Sequence, residues 1–151
     1  MSRLAAAVHV LTTDGPAGRF GATVSAVCSV SDAPPALLVC LNSESSAHDP
    51  LIQNGHFCIN TLEAGQEPLS NAFAGRGGLT TEQRFDQASW DALTTGAPAL
   101  IGARINFDCE VLSLTPVGSH TVIVGTVVDV RMENPGDSLL YIRRNYHTLP
   151  K

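Results

Sequence analysis

No stretch of this sequence is apolar for long enough to span a bilayer, and the N-terminus has no basic region followed by an apolar core. Neither a membrane helix nor a secretory leader is expected, and the default location is the cytoplasm. There is no Cys-x-x-Cys pair, and no histidine lies at metal-ligand spacing from a cysteine, so no metal site is expected. Charge is scarce as well. Only 15% of residues are charged against 44% hydrophobic, which argues for a packed chain rather than a disordered one. The net charge of −5 disfavours nucleic acid as a partner. Lysine is nearly missing: eight of the nine basic residues are arginine, which suits geometric recognition of phosphates more than diffuse attraction. Gly-x-Ser-x-Gly, His-Glu-x-x-His and a Ser-His-Asp order are all absent. The run Gly75-Arg76-Gly77-Gly78 has neither the spacing of a dinucleotide fingerprint nor a strand before it, so it reads as a loop.

What remains is a chain of 151 residues, read as one domain spanning 1–151 and large enough for a real core. Strand-like runs cover residues 6–13, 21–29, 36–42, 57–62, 103–111, 120–130 and 139–142. Asp14 to Gly18 is a turn, Ser45 and Ser46 are placed to cap a short helix ending at Asn54 with Gly55 as its stop, and residues 66–73 form a second helix. In 103–111 the apolar Ala103, Ile105, Phe107, Cys109 and Val111 alternate with Arg104, Asn106, Asp108 and Glu110. Residues 120–130 are apolar almost throughout, as expected of a strand covered on both faces. About seven short strands with two or three short helices predict a closed or partly closed β-barrel. Each of the four cysteines sits in an apolar run and is expected as a buried, reduced thiol. His9, His48, His56 and Trp90 are expected to be structural.

The most informative segment is residues 23–42. At period two, Val24, Ala26, Cys28 and Val30 fall on one side, and Thr23, Ser25, Val27 and Ser29 on the other. The second face is small and mostly hydroxyl-bearing: either a solvent face or one that admits a flat ligand at close approach. Pro34 and Pro35 end the pairing.

This stretch, with its Asp-x-Pro-Pro turn and its ending Cys40-Leu41-Asn42, resembles the signature of the short-chain flavin reductases, the reductase partners of two-component flavin monooxygenases. Matching pieces follow in the same order: 10–21, 57–62, 66–75, Arg84-Phe85, 95–100, 107–111, Gly118-Ser119-His120 and 139–147. The resemblance implies the FMN-binding split barrel, a Greek-key β-barrel normally found as a homodimer. It also implies hydride transfer from NADH (or NADPH) to FMN (or FAD), with reduced flavin passed to a partner monooxygenase. A reductase that retains its flavin and acts on another acceptor such as a corrinoid, and a flavin-binding module without turnover, are the alternatives. Members usually begin with a longer helix, and by comparison this chain is expected to start late.

The resemblance also implies site residues. Thr23, Ser25, Ala26, Val27, Cys28 and Ser29 match the strand along the isoalloxazine edge, and Cys28 and Cys40 are candidates for the pocket wall. Asn42, Ser43, Ser45 and Ser46 match the loop for the ribityl chain and phosphate, where a serine-rich helix start offers N–H donors. Gly118, Ser119 and His120 match a motif associated with nicotinamide, with Ser119 keeping the hydroxyl of its threonine form. His120 is the candidate for the carboxamide, and Arg84 and Tyr146 for further cofactor contacts. Such a reaction is carried by its cofactors, so a site poor in acids and bases is expected.

Overall fold

The computed structural model describes residues 1–133 and 136–151. Twelve strands and three short helices follow one another in it. The strands are β1 (Ala6–Ala7), β2 (His9–Thr13), β3 (Phe20–Val24), β4 (Val27–Asp32), β5 (Pro35–Asn42), β6 (His56–Thr61), β7 (Trp90–Ala92), β8 (Pro98–Leu100), β9 (Ile105–Val117), β10 (His120–Met132), β11 (Ser138–Ile142) and β12 (Asn145–Leu149). The helices are α1 (His48–Asn54), α2 (Glu67–Phe73) and α3 (Thr81–Phe85). Among the described residues no helix is long and apolar enough to cross a membrane.

Seven strands form one antiparallel sheet in the order β3-β2-β6-β9-β10-β5-β4. β3 and β4 lie at opposite ends of that order, yet only Ser25 and Ala26 separate them in sequence. Two residues span less than about 11 Å from strand to strand, so the sheet must curl until its edges meet. The result is a barrel split at Ser25–Ala26, the fold class expected from the sequence. Its interior is filled by Leu11, Val24, Leu37, Val39, Leu41, Phe57, Ile59 and Ile123. A second cluster, with Val10, Leu62, Leu69, Phe73, Phe85, Leu100 and Leu139, packs α2 and α3 onto the outside of the barrel.

The split corrects the expected single strand over 21–29. The chain leaves the ladder at Ser25, where Val27 N–H turns back to the Ser25 carbonyl at 3.0 Å. The alternation of faces is therefore reset. Val24 and Val27 both pack on the core, whereas Ala26, Cys28 and Val30 are exposed. Cys28 is thus not the buried thiol expected, and Cys40 is only half buried; none of the four cysteines forms a disulfide.

β9 differs too. It runs on to Val117, and its polar face is covered: Asn106 and Asp108 are fully buried. The β7–β8 hairpin lies over them. Asn106 Nδ2 donates to the Leu100 carbonyl at 3.1 Å and to Asn60 Oδ1 at 2.7 Å, while the Asp108 carboxylate accepts from Thr95 N–H and Oγ1 at 2.7 and 2.6 Å. Asn106 and Asp108 are tolerated there because each is paired. Burial, and then the Asp108 carboxylate, pushes the Cys109 thiol up to about 12 and the Cys58 thiol higher still, so both stay protonated.

β10 was expected to be covered on both faces, but only one is. Thr121, Ile123 and Gly125 are buried, whereas Val122 and Val124 are half exposed and Val128 and Val130 lie open at 37% and 44%. The four residues read as structural are bonded within the fold. His9 Nδ1 meets Thr61 Oγ1 at 2.9 Å, His48 Nε2 meets Thr121 Oγ1 at 2.9 Å, His56 Nε2 meets the Asp14 carbonyl, and Trp90 Nε1 donates to the Phe85 carbonyl.

Candidate functional site

A cleft of about 500 Å³ opens at the split. Where the two barrel edges part, Ser25 and Ala26 lie in neither strand. Their carbonyls accept from Val27 and Cys40, but among the described residues their own N–H groups donate to nothing. Both residues are exposed and line the cleft with Gly21, Ala22, Thr23 and Val24 of β3. The wall is therefore built of small side chains and two unpaired amide donors. Free backbone N–H groups are the part of a sheet edge that a ligand can complete.

The opposite wall comes from β5 and β10. Their register sets His120 beside Asn42, and Cys40, Leu41, Asn42 and His120 all line the cleft. The turn after β5 is fastened to the β9–β10 turn, because Ser43 N–H and Oγ both donate to the Ser119 carbonyl at 3.0 and 2.9 Å. Ser119 Oγ lies 2.8 Å from His120 Nδ1 and so orients the imidazole. Gly118 takes φ +57° at the first position of the two-residue turn, a conformation that favours glycine.

The floor and one end come from the helices. Phe73 lies against β3 because residue 21 is glycine: a Cβ there would stand 2.7 Å from the Phe73 ring. Thr23 Oγ1 donates to the Ser70 carbonyl at 2.6 Å and ties α2 to the same strand. Phe73, Phe85 and Trp90 pack edge-on, with centroids 5.0 to 5.7 Å apart. They hold α3 in place. A capping box between Thr80 and Gln83 starts that helix, which presents Arg84 to the cleft. Arg84 Nε donates to the Leu79 carbonyl at 3.2 Å, and its two terminal nitrogens make no hydrogen bond among the described residues.

Of the residues singled out from the sequence, Thr23, Ser25, Ala26, Cys40, Asn42, Ser45, Ser46, Arg84 and His120 line one cleft. The others do not reach it. Val27 turns into the core, and Cys28 and Ser29 run out along the exposed edge strand β4. Ser43, Gly118 and Ser119 stand behind the wall as the struts described above. Tyr146 lines a smaller neighbouring pocket of about 200 Å³ with Ser70, Arg76 and Tyr141, sharing Thr23, Val24, Ser25 and Ala74 with the first. Its hydroxyl bonds Ser70 Oγ at 2.8 Å and Asn71 Oδ1 at 3.0 Å. Ser45 and Ser46 precede α1 without capping it by a side chain: the N-cap is Ala47, and α1 has only seven residues. Gly55 is its left-handed C-cap, as the sequence suggests. Glu44, Phe73, Ala74 and Gly75 also line the cleft and were not foreseen. The motif around Gln66 to Gly75 was the available signal for the last three.

A split barrel with a small-residue cleft at its seam defines a ligand-binding class of β-barrel. Residues 1–150 match the flavin reductase like domain, and the chain belongs to that family. It is similar to the FMN reductase (NADH) RutF of Methylorubrum populi, 52% identical over 151 residues that cover 100% of this chain and 74% of the relative. It is also similar in structure to BorF, the flavin reductase component of a bacterial two-component tryptophan halogenase. There the TM-score is 0.91 at 29% identity, covering 99% of this chain and 94% of BorF. The Streptomyces globisporus NADH:FAD oxidoreductase SgcE6, solved in complex with NAD and FAD fragments, superposes with a TM-score of 0.87 at 26% identity, covering 97% and 86% of the two chains.

Proposed function

We propose that this single-domain protein is an NADH-dependent FMN reductase whose reduced flavin leaves for a flavin-dependent monooxygenase. The observation that carries the reading is the seam itself, where the unpaired Ser25 and Ala26 amides face a cleft whose other donors are Asn42, Ser45, Ser46 and Arg84. That donor set fits a flat heterocycle carrying a phosphate tail: small residues admit the ring, and hydroxyls with a guanidinium meet the anion. The reaction passes a hydride from nicotinamide C4 to flavin N5, chemistry that the two bound cofactors supply. The chain's own part is to bind and align. Ser25 and Ala26 hold the ring edge, Ser45, Ser46 and Arg84 hold the phosphate, and His120, oriented by Ser119, meets the carboxamide. Holding two reactants in register makes their encounter effectively unimolecular. A lining whose only titratable side chains among the described residues are Cys40, Glu44, Arg84 and His120 suits a reaction that asks no general base of the protein.

The working form in this reading is a homodimer in the cytoplasm. Supporting it are the unlinked thiols and the apolar residues left open on β4, β9 and β10: Val30, Leu112, Val117 and Val130 are 44 to 63% exposed.

Ser25→Leu tests the site. A leucine at this position fills the space beside the free amides, so FMN affinity should fall at least tenfold. The urea midpoint should stay unchanged, because Ser25 is exposed and outside the ladder. Undiminished affinity would place the flavin elsewhere.

A further inference from the structure

Two side chains of opposite formal charge line the cleft, Arg84 and Glu44. Glu44 sits on the turn between Asn42 and Ser45, at the end of the cleft assigned above to the phosphate. Its backbone N–H closes that turn on Asn42 Oδ1 at 2.9 Å, and the residue is exposed. Its carboxylate enters no hydrogen bond or ion pair among the described residues, whereas Asp91, Asp108 and Asp129 are each engaged by a neighbour. The other attractions for an anion here are modest: Arg84 has already committed its Nε to the Leu79 carbonyl, α1 has only seven residues, and the chain carries a net charge of −5.

We propose that Glu44 sets how loosely flavin mononucleotide is held, by repelling its phosphate, so that the flavin passes through as an exchanging substrate. The inference rests on the flavin reading above. A prosthetic group kept through many turnovers would call for the opposite sign at this position. A repelled phosphate shortens residence and returns the cleft to oxidised flavin. Reduced flavin leaving in this way must be consumed by a separate flavin-requiring reaction, such as oxygen activation on another protein. The effect is selective, because a flavin without a phosphate has nothing for Glu44 to repel.

The test is equilibrium binding of FMN and of riboflavin to the wild-type chain and to Glu44→Gln and Glu44→Lys, at low and at molar salt. The exposed turn position keeps both variants folded. Each unit of charge removed should tighten FMN by about three- to tenfold at low salt, in the order Glu, Gln, Lys. Riboflavin should stay within about twofold. Most of the gain should vanish at 1 M salt, where the screening length is about 3 Å. Unchanged FMN affinity across the series would overturn the inference, as would riboflavin tightening in step with FMN. Failure of the wild-type chain to bind either flavin would overturn the flavin reading itself, and this inference with it.

Discussion

At the scale of the residue, His120 and His9 illustrate opposite uses of one side chain. His120 is exposed at the cleft wall and its ring is set by Ser119 rather than by packing. Replacing it with alanine should slow FMN reduction by NADH at least tenfold while moving the FMN dissociation constant less than about twofold. A collapse of flavin affinity in His120→Ala would make the residue structural. His9 is buried on β2, and burial lowers its pKa from 6.5 to about 4. The unfolded chain therefore takes up a proton below pH 6.5 that the folded chain refuses until about pH 4. Stability is complete above 6.5 and falls as pH drops through that window, by roughly 3 kcal/mol at the acid end. Urea unfolding at pH 7 and pH 5 should show the loss, and His9→Gln should remove most of it. The residues lining the seam and the turn after β5 were legible through the family resemblance of residues 23–42, since a small, hydroxyl-bearing face alone fits a solvent face equally well. Glu44 was not, since a lone carboxylate in a turn has no pattern to mark it.

At the scale of the element, packing decided what periodicity left open. Gly125 on β10 faces Phe57 so closely that a Cβ would come within 2.6 Å of the ring and 3.0 Å of the Cys109 Cβ. Gly125→Ala should cost about 1–3 kcal/mol of stability, read as a lower denaturant midpoint with flavin affinity retained once folded. An unchanged midpoint would show that Phe57 moves aside freely. The same dependence on neighbours explains the misread strands. For β9 the alternation showed two faces but not what covers the polar one, because nothing local announces that the β7–β8 hairpin will lie over Asn106 and Asp108. The break at Ser25–Ala26 is hidden too, since both residues fit a continuing strand. α3 did carry a local signal in Thr80 and Gln83, the capping box that starts it. β12 follows a turn made by Arg143 and Arg144 at φ 54° and 65°, where sequence reading looks for glycine or asparagine.

At the scale of the whole molecule, the site exists because the sheet closes imperfectly. Curling brings β3 and β4 together, and the two residues that cannot pair at the seam become the donors of the cleft. Barrel closure was legible from the number and shortness of the strands, but the place of the split was not. It depends on which strands end up at the sheet's edges, a matter of long-range pairing. The same topology leaves Leu112, Leu114 and Val117 of β9 and Val128, Val130 and Met132 of β10 uncovered, and sedimentation should give twice the chain mass. A monomer at micromolar concentration would require another partner for those residues. The central claim is tested most directly by anaerobic mixing of the protein with FMN and NADH, following loss of the oxidised flavin band against a control without protein. The account predicts rapid, protein-dependent bleaching. Flavin that binds but stays oxidised in the presence of NADH would contradict it.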